Sequence, residues 1–126
     1  MPDPALSGRR ILVVEDEYFL AVDLERELTS AGASVVGPVA SVEDALALIE
    51  NEPTLDAAVL DINLGGEMSY PVADALTVRF VPFLFATGYN SQDIPARYAS
   101  VTRCEKPILP RAVAVEIGEK IVAADG

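Results

Sequence analysis

Four short apolar runs in this chain each end in residues whose types could act on one group. Asp61 closes Ala57-Ala58-Val59-Leu60, and the acids Glu15-Asp16-Glu17 close Ile11-Leu12-Val13-Val14. Thr87 follows Val81 to Ala86, and Lys106 lies just beyond Val101 to Cys104. Carboxylates drawn together repel, so either one keeps its proton or a cation neutralises them. Magnesium suits such a place, because it takes oxygen ligands, keeps several waters and needs little more than two carboxylates and a carbonyl. The main-chain carbonyl of Asn63, two residues beyond Asp61, is a candidate for the third. Phosphoryl transfer asks for an in-line nucleophile and charge clamps rather than covalent machinery. Asp61 is the candidate nucleophile, and Lys106 with the Thr87 hydroxyl would grip the equatorial oxygens.

These residues converge only if the chain alternates strand and helix. Ile11 to Val14 reads as a strand, and the next fourteen residues set Leu20, Leu24, Leu28 and Ala31 on one helical face before Gly32 stops it. Ser34 to Val39 reads as a second strand, placed at an edge because Pro38 cannot donate to a central ladder. Ser41 with Asp44 resembles a capping box ahead of a helix through Val42, Ala45, Leu46 and Ile49. Leu55 to Leu60 is apolar throughout, as a strand covered on both faces must be.

The segment from Ile62 to Tyr70, with Gly65-Gly66, reads as a loop, and Pro71 opens a third helix through Val72, Ala75 and Leu76. A fourth strand, Val81 to Ala86, turns at Thr87-Gly88. Between Asn90 and Ser100 Pro95 interrupts the pattern, which predicts a short or mobile fourth helix. A brief fifth strand, Val101 to Cys104, leads to a closing helix carrying Val113, Ile117 and Ile121. Five strands alternating with about five helices predict an α/β fold, a doubly wound five-stranded parallel sheet joined by right-handed crossovers. In order 2-1-3-4-5 the ligand site lies beyond the carboxyl ends of the strands, where the order reverses. Glu15, Asp16, Asp61, Thr87 and Lys106 would all meet there.

Composition bounds the rest. A chain of 126 residues, 51% of them hydrophobic, predicts one domain with its core over about residues 9–123 and no output domain. No run of about 18 apolar residues could span a bilayer, and the Met1-Pro2-Asp3-Pro4 start lacks a secretion-signal layout, so a cytoplasmic protein is expected. The single Cys104 reads as a small core hydrophobe. A net charge of −11 disfavours nucleic acid as a partner. The absence of histidine removes the usual general base, the common serine triad and most zinc or iron ligand sets.

Taken in order, these segments resemble the receiver domain of two-component response regulators over Ile11 to Val122. Ile11 to Glu17 is similar to the acidic first-strand motif, and Leu60-Asp61-Ile62-Asn63 to the phosphoacceptor segment. Thr87 stands as the switch hydroxyl, and Glu105-Lys106-Pro107 as the lysine-proline element. The resemblance implies a flavodoxin-like receiver fold in which Asp61 takes phosphate from a partner histidine kinase or phosphotransfer protein. It also implies that Asp16 binds magnesium directly, that Glu15 holds a metal-bound water, and that the peptide before Pro107 is cis. Pro82 to Tyr89, with Asn63 to Glu67, is further similar to the FAT GUY receivers, often stand-alone regulators. Two features depart from the common pattern. No methionine-proline pair follows Asp61, and Arg103 stands where a switch aromatic would precede the lysine by three. Readout is therefore expected through the stretch from Asn90 to Arg103, with a downstream protein partner on the face formed by residues 88–111.

The leading reading is a single-domain response regulator in a phosphorelay, a phosphoacceptor rather than an enzyme, switching protein binding or serving as a phosphate sink. The alternative is a receiver-like binding module that works without phosphorylation. A hydrolase of the aspartyl-phosphate type fits less well, since Asn63 stands where such enzymes carry a second aspartate. Glu17 reads as a helix-start acid favoured by the helix dipole, Arg103 as a surface or ion-pairing residue and Tyr89 as a packing or contact residue.

Overall fold

The computed structural model describes residues 3–88 and 94–125. Five parallel strands form the sheet in the order β2-β1-β3-β6-β7: β1 (Arg10–Val14), β2 (Ser34–Val39), β3 (Ala57–Asp61), β6 (Phe83–Thr87) and β7 (Arg103–Glu105). This is the 2-1-3-4-5 order expected, with two short strands added. β4 (Asn63–Leu64) and β5 (Glu67–Met68) pair antiparallel in a separate hairpin where the sequence reads as loop. Gly65 and Gly66 make its turn at φ of 62° and 99°, a left-handed conformation that glycine enters at no steric cost.

The helices are α1 (Tyr18–Ser30), α2 (Val42–Asn51), α3 (Tyr70–Val78) and α4 (Pro110–Asp125). Ser41 caps α2 as its sequence predicts, its hydroxyl accepting from the Asp44 N–H at 3.1 Å. Among the described residues four α-helices stand where about five were expected. Among the described residues of the Asn90 to Ser100 stretch, only a 3-10 turn forms, Ala96–Tyr98, entered from extended backbone at Pro95. Proline has no N–H to give and excludes the helical conformation from the residue before it, so no α-helix runs through it. Tyr89 and residues 90–93 of that expected helix lie outside the described residues.

Strand alternation sends side chains to two separate cores, one on each face of the sheet. Leu12, Val14, Ala58, Leu60, Phe83 and Phe85 pack with α2 and α3 on one side. Ile11, Val13, Ala57, Val59, Leu84 and Ala86 pack with α1 and α4 on the other, where Leu6 of the N-terminal segment is also enclosed. The central strands are covered on both faces, which explains their unbroken apolar character. Pro38 lies in the edge strand β2, as expected, beside a register shift in the pairing with β1. Both Gly37-Pro38 and Lys106-Pro107 are cis.

Candidate functional site

Parallel pairing aligns the carboxyl ends of β1, β3 and β6, and each delivers a polar residue there after an apolar run. In register, Val14 lies beside Leu60, and Asp61 beside Ala86. Glu15 follows β1, Asp61 ends β3 and Thr87 ends β6. All three are buried, with 2%, 4% and 4% of their surfaces exposed. Lys106 follows β7, its backbone N–H donating to the Thr87 carbonyl at 2.7 Å, which ties it to the neighbouring strand.

From that anchor the Lys106 ammonium reaches three carboxylates. It donates to Asp61 Oδ2 at 3.0 Å and to Glu15 Oε2 at 3.4 Å, and lies 3.6 Å from Glu17 Oε2. Burial alone would lower the Lys106 pKa. The hydrogen bond and charge of Asp61, with those of Glu15, outweigh it and hold the ammonium above its ordinary value. Glu15 moves further, pushed up to about 8. Burial is the main cause, helped by a hydrogen bond with Asp61, and it prevails over the Glu17 N–H and Lys106, which favour the charged form. Without a divalent cation beside it, Glu15 therefore favours its protonated form far more than a free carboxyl does.

Oxygens of Glu15, Asp16 and Asp61 all lie within 4.8 Å of one another, with Asp16 the exposed member. Glu15 Oε1 is buried and meets no hydrogen-bond partner among the described residues. Once Glu15 gives up its proton, a buried oxygen without a donor is costly, and beside two further carboxylates a hard divalent cation satisfies it. The donor set thus fits magnesium. Asn63 contributes differently from the acids. Its N–H donates to Asp61 Oδ1 at 3.2 Å, while its side-chain oxygen accepts from the Gly66 N–H at 2.7 Å and so closes the hairpin turn. Its side chain is thereby engaged away from the acids.

Thr87 is in the pocket but turned aside, its hydroxyl donating to the Gly88 carbonyl at 2.9 Å. To hold a group on Asp61 it must exchange that partner. Glu17, read from sequence as a helix-start acid, caps α1 through its backbone with no side-chain bond and lies near Lys106 instead. Only the fold reveals that contact, because nothing in the sequence distance between residues 17 and 106 announces it. Outside the pocket, Phe19, Leu20, Asp23, Gly88, Pro107 and Ile108 line an adjoining depression shared with Glu17 and Lys106. Arg103 is exposed in β7, its backbone paired with Phe85. The residue that sequence reading missed is Tyr98, 3% exposed, with its ring against Phe85 at 5.6 Å between centroids. A lone aromatic at the end of a polar, proline-interrupted stretch was its one signal.

No protein-family profile matches the chain. Among curated proteins it is 37% identical over 76 residues to the transcriptional regulatory protein PrrA of Mycobacterium tuberculosis, a match covering 60% of this chain and 29% of PrrA. The chain thus spans under a third of that relative. SdrG from Sphingomonas melonis Fr1 is 39% identical, with 98% of this chain and 100% of SdrG covered at a TM-score of 0.76. A CheY-like response regulator receiver domain protein from Methanospirillum hungatei JF-1 is 27% identical, with 94% and 98% covered at a TM-score of 0.83.

Proposed function

The chain belongs to the receiver domains of two-component response regulators, and from that premise we propose that Asp61 accepts a phosphoryl group from a partner histidine kinase or phosphotransfer protein. The observation that carries this reading is the Lys106 ammonium, 3.0 Å from Asp61 Oδ2 at the mouth of a three-carboxylate pocket. A lysine so placed neutralises a developing negative charge without moving far, which is what phosphoryl transfer needs of a protein.

In this reading an Asp61 carboxylate oxygen attacks phosphorus in line, the P–N bond to the donor's phosphohistidine breaks and the imidazole leaves, while Lys106 holds one phosphoryl oxygen and Thr87 releases Gly88 to hold another. Asp16, Asp61 and the Asn63 carbonyl, with Glu15 beside them, would hold magnesium, which when bound would supply charge neutralisation for the phosphoryl oxygens. The protein takes the phosphoryl group rather than turning over a free substrate, so at most it catalyses its own phosphorylation and dephosphorylation. Exposed Phe19 lines the depression beside the pocket, with the exposed Tyr18 ring edge-on to it, and the pair offers apolar contact to a phosphodonor protein. The phosphorylated form would act as a single-domain regulator, binding a downstream protein through residues 88–111 or draining a shared kinase. Of that face, residues 89–93 lie outside the described residues. The phosphorylation-independent alternative would leave a buried acid, lysine and threonine set without a purpose.

The test is labelling by a histidine kinase or by a small acyl phosphate. Label should require magnesium and vanish in Asp61→Asn with the fold intact. Persistent failure with several donors would remove the reading.

A further inference from the structure

Two lines of contact leave the pocket by different routes and meet at one side chain. From Thr87, strand alternation leads to Phe85 on the same side of β6, and its ring meets Tyr98 edge-on at 5.6 Å. From Asp61 the chain passes to Ile62, whose carbonyl accepts from the Ser69 N–H at 2.8 Å. The next residue, Tyr70, opens α3 and stacks on Tyr98 with centroids 5.8 Å apart and planes 17° from parallel.

Tyr98 is itself fastened. Its phenol donates to Asp74 Oδ1 on α3 and, at 3.4 Å, reaches the Tyr70 carbonyl. Arg97 closes the clamp. It donates to both Asp74 oxygens at 3.2 and 3.3 Å, and its guanidinium carbon lies 4.6 Å from the centre of the Tyr98 ring. The Arg97 and Asp74 side chains are about half exposed, so that ion pair is individually weak. The buried phenol makes the arrangement specific, because releasing it from Asp74 would leave a polar group without its partner.

We propose that Tyr98 is a positioning residue coupled to the phosphoacceptor pocket, and that the Asp74–Arg97–Tyr98 clamp favours the conformer in which Thr87 is turned to Gly88. This rests on the phosphoacceptor reading. Drawing the Thr87 hydroxyl toward a phosphoryl group alters the end of β6, and Phe85 carries the change to Tyr98. The coupling is reciprocal: a clamp that favours one Thr87 conformer must oppose a ligand that needs the other. Tyr98 thus supplies from the β6–β7 crossover the aromatic that β7, with Arg103, does not.

The experiment measures the affinity of the whole chain for beryllofluoride with magnesium, in wild type, Tyr98→Phe and Asp74→Ala. Tyr98→Phe keeps the buried ring and loses only the hydroxyl, and Asp74→Ala changes an exposed helix position, so thermal melting can confirm that both remain folded. Both should bind beryllofluoride about fivefold or more tightly than wild type, the ordinary size of a coupling between sites. Unchanged or weaker binding in either folded variant overturns the clamp while leaving the pocket reading intact. Failure of the wild type to bind at all removes the pocket reading and the clamp with it.

Discussion

Lys106 and Asp61 meet at 3.0 Å although the strands that carry them, β7 and β3, are separated in the sheet by β6. The lysine begins one residue beyond β7, is held to Thr87 by its backbone and crosses the end of the intervening strand. Truncating it leaves Asp61 buried without its cation. Lys106→Ala should therefore lower the stability of the metal-free protein by about 1.5–3 kcal/mol, the range for losing a hydrogen bond to a charged group. Saturating magnesium should restore most of the loss. Urea unfolding with and without the ion checks this, and a loss that magnesium leaves untouched would place the damage elsewhere.

Glu15 gives the protein a pH dependence whose sign follows from its raised pKa. The folded protein keeps a proton up to about 8 that the unfolded chain gives up above 4.5. The stabilising contribution is complete below 4.5 and is lost as pH rises through about 8. Stability of metal-free wild type should thus fall relative to Glu15→Gln across this window, by up to about 1.4 kcal/mol per pH unit. Parallel unfolding curves for the two proteins between pH 5 and 8 would refute it.

Asp61→Asn keeps the shape of the side chain and removes a buried charge from the carboxylate cluster. The metal-free variant should be as stable as wild type or more so, while its magnesium affinity falls roughly tenfold or more, as losses around a metal site typically do. Calorimetric titration with magnesium reads both the affinity and, by its absence, a misassigned ligand.

Gly66 holds φ at 99° in the hairpin turn, and its N–H fastens the Asn63 side chain. Gly66→Ala should cost about 1–3 kcal/mol through backbone strain. Space is not the obstacle, since a Cβ there meets no atom within 4 Å. A variant as stable as wild type would show that the turn rearranges freely.

The sheet order and five of its strands were legible because apolar runs of strand length, ended by charge or glycine, alternate with helical periodicity. The Ser41 cap and the edge position of Pro38 followed from single residues with one strong preference each. The β4–β5 hairpin was not legible, since two-residue strands carry no period and Gly65-Gly66 reads equally as loop. The gathering of Glu15, Asp16, Asp61, Thr87 and Lys106 at one end of the sheet followed once the topology was assigned. Neither the Glu17 to Lys106 approach nor the burial of Tyr98 could follow from it. The first joins residues far apart in sequence. The second depends on a crossover that Pro95 keeps from being helical, so no face could be assigned to its residues.

The sheet ends in two strands that are both poor templates for a further strand. β2 contains Pro38, which has no N–H to offer, and slips register beside it, while β7 is only three residues long. Backbone-to-backbone recruitment of another chain along either margin is thereby discouraged. A partner reading this protein would then rely on side chains on helices and loops rather than on the margins of the sheet.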